Sequence, residues 1–302
     1  MTDSVETAKQ VFEILWQHYI KSVPSAQKAL QIVKAQGDPF INDHVAFRSF
    51  GYEHCGISAL EQVFLKLGYQ KMDYMNFKEK KLNAYWYKPQ DLTLPKVFIS
   101  EIRPAELSTQ AQEIITRYAS QASAKTVTAI DYKNIQSIAH VLSTRPWPAP
   151  LYLDYQTLMK ESEYAAWTLA FGNQINHFTI QVNALTHIQG IAALNPLLES
   201  HGLRLNDSGG KIKGSPESML MQSSTVADQV TYEFSDQKAV IPYTYLEFAE
   251  RFLQPEHRAR YPQSKDGRAP YSAFEHCYQG FIEKNADKIF ESTYTQQANK
   301  GM

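Results

Sequence analysis

Apolar and polar side chains alternate most sharply in two stretches, each built around a histidine. In Ile41-Asn42-Asp43-His44-Val45-Ala46-Phe47-Arg48-Ser49-Phe50, Val45, Phe47 and Ser49 share one face of an extended chain. His44, Ala46 and Arg48 share the other, because successive strand side chains point to opposite sides. In Gln174-Ile175-Asn176-His177-Phe178-Thr179-Ile180-Gln181-Val182 the polar residues His177, Thr179 and Gln181 line up in the same way, and each histidine follows an Asp or an Asn. After each strand the period lengthens to that of a helix. Leu60, Val63, Phe64 and Leu67 mark a helix from about Ile57 that stops at Gly68; Ile191, Leu194, Leu197 and Leu198 mark one over about His187 to Ser200 that stops at Gly202. Gly68 lies 24 residues after His44, and Gly202 lies 25 after His177, which points to a duplication.

Three strand-like runs complete each unit. In the first they fall around 69–77, 82–87 and 97–102; in the second, after a turn at Asp207-Ser208-Gly209-Gly210, near 220–227, 229–234 and 241–248. The order β-α-β-β-β is thus expected over 40–104 and again over 173–255. Ser4 and Ser25 are placed to cap two amino-terminal helices within 1–38. Residues 105–172 read as a helical insertion, with helices near 110–122, 135–142 and 152–169 and a stiff connector at Arg145-Pro146-Trp147-Pro148-Ala149-Pro150. Residues 256–302 read as a tail with a helix or two between Phe274 and Ser292, folding back as a lid or buttress. The expectation is an α+β fold in a single domain, 1–302: two βαβββ units forming a half-barrel, with a helical insertion and helical termini.

Composition narrows the function classes. With 302 residues, 43% apolar content and a net charge of −1, the chain can bury a large core and carries no electrostatic footprint for nucleic acid or anionic membrane. Cys55 and Cys277 offer no disulfide framework, no apolar run is long enough to span a bilayer, and the first residues lack the pattern of a signal peptide; a cytoplasmic protein is expected.

The chemistry falls on the two histidine strands and on the last strand of the second unit. Two imidazoles and one carboxylate on one face of a metal leave neighbouring positions open for substrate and dioxygen. If the first and last strands of a unit lie side by side, His44, His177 and Glu247 converge as ligands. A lone strand histidine is ordinarily a hydrogen-bonded core residue, but matching positions in two halves argue for shared work. Glu247, flanked by Tyr245, Leu246 and Phe248, is expected to be buried, and a buried carboxylate needs a partner. Arg48 lies four residues after His44 on the same face, its Cα about 13 Å away. Its planar fork suits a carboxylate several ångströms from the metal, as in a dicarboxylic acid; the alternative is an ion pair with Glu101 or Asp43. Gln222 and Ser224, on a strand expected to face inward, and Tyr245 are candidate substrate contacts. Ser223 competes with them for the inner face by parity.

These residues resemble a known family. The pattern Asp-His-x-Ala-x-Arg at 43–48, Asn-His-x-Thr at 176–179 and Tyr-x-Glu-Phe-x-x-Arg at 245–251 is similar to that of the 2-oxoadipate dioxygenase/decarboxylase (hydroxyglutarate synthase) family of the vicinal oxygen chelate superfamily. The segment from Gly280-Phe281 to Thr293 resembles that family's carboxyl-terminal signature, and the likeness runs over roughly 40–293. Leu246-Glu247-Phe248 with Arg251 also resembles the metal-carboxylate strand of hydroxyphenylpyruvate dioxygenase. The resemblance implies a vicinal oxygen chelate-like fold and an Fe(2+) enzyme. Such an enzyme takes a 2-oxo acid and dioxygen, releases carbon dioxide and hydroxylates what remains, converting 2-oxoadipate to 2-hydroxyglutarate. His44, His177 and Glu247 map to the metal ligands and Arg48 to the residue that fixes the substrate carboxylate. Two alternatives stand beside it. Glu101, placed by symmetry opposite Glu247, would complete a two-His, two-Glu site suited to a glyoxalase-like isomerase or lyase. A non-catalytic small-ligand-binding protein of the same fold would need no metal.

Several other features read as structural. Gly209–Ser215 lacks P-loop spacing and is expected to be a hairpin turn. His187 and His201 are expected at the surface, His54 and Cys55 at a helix start, and His276 and Cys277 in the packing of the tail.

Overall fold

Before either histidine strand the chain runs through α1 (Ser4–Ser22) and α2 (Pro24–Ala35). The first unit is then β1 (Asn42–Phe50), α3 (Ile57–Lys66), β2 (Gln70–Phe77), β3 (Leu82–Lys88) and β4 (Lys96–Ile102). The insertion supplies α4 (Thr109–Ala119), α5 (Ile135–Val141), α6 (Tyr152–Glu161) and α7 (Glu163–Phe171). The second unit contains β5 (Ile175–Gln181), α8 (Ile191–Ser200), β6 (Lys213–Ser215), β7 (Leu220–Ser224), β8 (Gln229–Glu233), β9 (Lys238–Pro242) and β10 (Tyr245–Arg251), and α9 (Glu283–Ile289) lies in the tail. This computed structural model describes residues 4–122, 127, 130–262, 264 and 268–299; the outermost residues of the expected helical ends, 1–3 and 300–302, lie outside it.

Eight strands form one sheet in the order β2-β3-β4-β1-β5-β10-β7-β6. The order reads the same from either edge once the units are exchanged. In each unit the first and last strands pair in parallel, β1 with β4 and β5 with β10. The two remaining strands then follow antiparallel. The units meet where β1 runs antiparallel to β5. The sheet curls into a half-barrel with helices against both of its faces, an α+β architecture as expected.

Both faces of β1 are buried, so the alternation seen in sequence separates two interiors rather than core from solvent. On the outer face Val45, Phe47, Val97, Ile99, Phe178, Ile180, Leu246 and Phe248 pack with apolar residues of α1, α2, α3 and α8. Each such side chain contributes about 1.5–3 kcal/mol by leaving water. On the inner face Ala46, Phe50, Trp86, Phe98 and Ile102 pack with α4, α6 and α7 of the insertion and with Phe281 and Phe290 of the tail.

Five local expectations are corrected. Residues 229–233 do not join the half-barrel; they pair with β9 in a separate hairpin, because Tyr232 and Phe234 are drawn to Tyr152, Tyr155 and Phe171 of the insertion. The barrel's edge strand is instead Lys213–Ser215, inside the stretch expected to be only a turn. Gly214 makes that edge possible: it has φ +82°, and a Cβ there would lie 2.1 Å from the Leu220 carbonyl oxygen. The expected helix over 152–169 is two helices divided at Ser162, whose side chain accepts from the Ala165 amide and so caps the second. The expected helix at 187–200 begins only at Ile191. Ser25 does not cap α2 either: Pro24 occupies the first turn, and Asp228 from the other half accepts from the Ser25 amide and hydroxyl.

The carboxylate caps of α3 and α8 show the duplication at atomic detail. Glu101 accepts from the Ile57 amide and Glu250 from the Ile191 amide, each at 2.8 Å. In both places a glycine precedes the helix because the carboxylate fills the space of a Cβ. Added at Gly56 it would lie 2.6 Å from Glu101 Oε2, and at Gly190 2.8 Å from Glu250 Oε1.

Candidate metal centre

Three adjacent strands bring the expected ligands together. In the β1–β5 pairing Ala46 lies opposite His177 and His44 opposite Thr179, so the imidazoles are diagonal neighbours with ring centroids 5.7 Å apart. On the other side of β5, β10 sets Glu247 opposite Thr179. His177 Nε2 is 3.0 Å from Glu247 Oε2, and His44 Nε2 is 3.5 Å from Glu247 Oε1. One donor atom from each of the three lies within 4.8 Å of the others, and all three residues are buried.

Each ring is held by its other nitrogen. His44 Nδ1 is 2.8 Å from Asp43 Oδ1, and His177 Nδ1 is 3.0 Å from Asn176 Oδ1. This is the usual way a ligand imidazole is oriented, with Nε2 turned toward the carboxylate; His44 Nε2 also lies 2.9 Å from Thr179 Oγ1. Gln222 Nε2 donates to Glu247 Oε1 at 2.6 Å, while the Gln222 carbonyl oxygen is buried without a partner. Burial pushes the Glu247 carboxyl up, but the two imidazoles bring it down to about 2. Burial opposes charge on His44, yet Glu247 and Asp43 raise it on balance; burial prevails at His177, which is lowered. A buried anion facing two imidazoles, with an orphaned acceptor alongside, fits a divalent cation, and these nitrogen and oxygen donors suit Fe, Mn, Ni or Zn.

A cavity beside the three candidate ligands is lined by Phe98, Gln222, Phe281, Ala286, Ile289 and Phe290. Arg48, on the same inner face of β1 as His44 and Ala46, is 1% exposed. Arg48 Nη1 donates to Thr293 Oγ1 at 2.9 Å and Nη2 to the Phe290 carbonyl at 3.1 Å. The guanidinium carbon sits 5.0 to 5.7 Å from the ring centres of Tyr164, Trp167 and Phe290. Its Nε–H has no acceptor. The two carboxylates weighed as its ion-pair partners are engaged elsewhere: Asp43 with Arg251, and Glu101 at the start of α3.

A sequence model of 2-oxoadipate dioxygenase/decarboxylase matches residues 2–273. The chain belongs to the 2-oxoadipate dioxygenase/decarboxylase family. That is a family of enzymes, and its relatives span most of this chain. The chloroplastic 2-oxoadipate dioxygenase/decarboxylase of Arabidopsis thaliana is 38% identical over 296 residues, covering 93% of this chain and 76% of its own. The crystal structure of hydroxyglutarate synthase from Oryza sativa in complex with 2-oxoadipate matches with a TM-score of 0.88 at 35% identity, over 99% of this chain and 96% of that one. A glyoxalase-superfamily protein from Ralstonia eutropha JMP134 shares the fold, with a TM-score of 0.69 at 20% identity over 82% of this chain and 83% of that one.

Within this family member, the remaining candidates divide by strand parity. Gln222 and Ser224 face inward, Ser224 Oγ lying 2.8 Å from Ser292 Oγ of the tail; Ser223 faces outward and donates to Asn195 of α8. Tyr245 stacks on His177 with centroids 4.6 Å apart, and its buried hydroxyl has no partner. Glu101 is not the counterpart of Glu247. Glu247 pairs with the residue two after His177, and the residue two after His44 is Ala46, which pairs with Phe98. Phe98 therefore occupies the symmetric place, and Glu101 corresponds to Glu250, the other helix cap. Among the described residues the cluster has three members, without the fourth ligand a glyoxalase-like site would need.

Sequence reasoning missed the supports of the site. Asp43, Arg251 and Lys96 form a buried charged group behind His44. Tyr164 and Trp167, from the insertion, form the cage around Arg48. Arg251 stood in the quoted Tyr-x-Glu-Phe-x-x-Arg pattern, four residues after Glu247 and so on its face. The helix caps were foreshadowed by Gly56-Ile57-Ser58-Ala59-Leu60 and Gly190-Ile191-Ala192-Ala193-Leu194, the same pentapeptide with one substitution.

Proposed function

We propose that this chain is a non-haem Fe(2+)-dependent dioxygenase that converts 2-oxoadipate and dioxygen to 2-hydroxyglutarate and carbon dioxide. In this reading His44, His177 and Glu247 hold the cation on one side. Bound iron supplies a Lewis-acidic seat for the 2-oxo acid and activates dioxygen. The observation that carries the reading is the pairing of that cluster with Arg48, a buried cation whose neighbours are neutral oxygens and aromatic rings. A buried charge of that kind is stable only with a counter-charge or dense polar contact. The distal carboxylate of a dicarboxylic 2-oxo acid provides one. It is received by the free Nε–H of Arg48 and the partnerless hydroxyl of Tyr245. Gln222 lines the cavity, and Ser224 lies two residues on along the same face of β7. Phe98, Phe281, Ile289 and Phe290 keep bulk water from the reacting carbon. The membership of an enzyme family and the 35% identity to a protein crystallised with 2-oxoadipate support the substrate class.

The test is metal analysis of protein purified without chelator, followed by oxygen uptake with 2-oxoadipate, 2-oxoglutarate and 2-oxohexanoate. One divalent ion per chain is expected, with one carbon dioxide and one 2-hydroxyglutarate formed per dioxygen consumed. Uptake with 2-oxohexanoate, which lacks the second carboxylate, should be weak. Iron-loaded protein that consumes no dioxygen with any of the three acids overturns the proposal.

A further inference from the structure

We propose that Arg251 is a positioning residue that ties the tail segment 278–293 to the orientation of His44. The inference rests on the metal-centre reading above. Arg251 is fully buried, and its three nitrogens face two different structures. Nε and Nη2 donate to the two oxygens of Asp43, at 2.7 and 2.8 Å. Nη1 donates to the carbonyls of Tyr278 and Gly280, at 3.1 and 2.7 Å. The Asp43 oxygen that receives Nη2 is also the one that holds His44 Nδ1. A second contact reaches the same ring. Phe281 packs edge-on against His44 with centroids 4.8 Å apart, and the Arg251 guanidinium lies 5.4 Å from the Phe281 ring centre. Both supports of His44, one polar and one aromatic, therefore converge on Arg251.

The second unit provides an internal contrast. His177 Nδ1 is held by the neutral amide of Asn176, and its ring stacks on Tyr245 of the neighbouring strand. Tyr245 in turn packs on Ile289 of the tail, so His177 reaches the tail through apolar contact, whereas His44 reaches it through a charged pair. Arginine suits this task because its planar fork engages a carboxylate along one edge and still has a nitrogen directed elsewhere. A lysine offers one compact charge and cannot span both. Lys96 illustrates this: its Nζ stands 3.7 Å from Asp43 Oδ2 and forms the weaker support.

The test titrates Co(2+) alone into the full chain and follows visible absorption. In parallel, hydrogen exchange is measured over 278–293. Arg251→Lys should bind cobalt 10- to 100-fold more weakly, the usual effect of losing an outer support of a ligand. Its cobalt absorption bands should shift, and exchange over 278–293 should quicken. Asp43→Asn should weaken cobalt binding but leave 278–293 protected, because Arg251 keeps the Tyr278 and Gly280 carbonyls. Folded Arg251→Lys with cobalt affinity within twofold of wild type and unchanged exchange overturns the proposal. Should that variant not fold, Asp43→Asn decides: unchanged cobalt affinity there overturns it equally. Wild-type protein that takes no cobalt sinks the metal reading instead, and exchange in Arg251→Lys still decides whether Arg251 holds the tail.

Discussion

Arg48 shows how much a single side chain can say once its surroundings are known. Its neighbours in the fold are a hydroxyl, a carbonyl and three aromatic rings, all neutral. Cation–π contacts contribute about 0.5–2 kcal/mol each, far less than a desolvated guanidinium gains from a carboxylate. Arg48→Met should therefore raise KM for 2-oxoadipate on the order of 100-fold, about 2.7 kcal/mol, without loss of bound metal. Arg48→Lys should recover only part of this, because the charge returns without the fork. Steady-state oxygen uptake with metal analysis checks both; unchanged KM in Arg48→Met removes the substrate role. That Arg48 shares a face with His44 was legible in the alternation of β1. The company it keeps was not, since Tyr164, Trp167, Phe290 and Thr293 come from segments more than a hundred residues away.

At the level of elements, the duplication extends through the scaffold but not to the site. Strand order, parallel pairing and helix capping repeat in both units, while the inner face differs: Phe98 in one, Glu247 in the other. Glu101 and Glu250 belong to the repeated scaffold. Removing a carboxylate that satisfies the first amide of a helix costs about 1–2 kcal/mol. Glu101→Ala should lower unfolding free energy by that amount in a denaturant titration and leave the metal content unchanged. Loss of metal from folded Glu101→Ala would restore the four-ligand alternative. Sequence periodicity found the helices and most strands, and the two glycine stops correctly marked the repeat. It misassigned the strand at 229–233 because a short alternating run looks the same in a barrel and in a separate hairpin; contacts with Tyr152, Tyr155 and Phe171 decide between them.

For the whole molecule, the site joins what the chain keeps far apart. His44 and Glu247 lie in different units, and the cavity beside them is lined in part by the tail. A cation held by both units binds the folded chain and not the unfolded one, so it stabilises by about 2.7 kcal/mol at a hundredfold excess over its Kd. Cobalt or iron should then raise Tm by several degrees, at about 2–4 °C per kcal/mol for domains somewhat smaller than this chain. Chelator should reverse the shift, and Glu247→Gln should largely abolish it. Differential scanning calorimetry measures each. An identical Tm with and without metal would mean that no cation bridges the two units.

The sequence by itself determined the two histidine strands, the helices that follow them and the residues that share their faces. These depend on alternation and period, which are local properties of the chain. Tertiary structure decided that Glu101 caps a helix rather than joining the imidazoles, where the edge strand runs, and that Arg251 stands behind His44. Those outcomes depend on register between strands distant in sequence, and a register shifted by one residue would turn every one of these side chains to the opposite face.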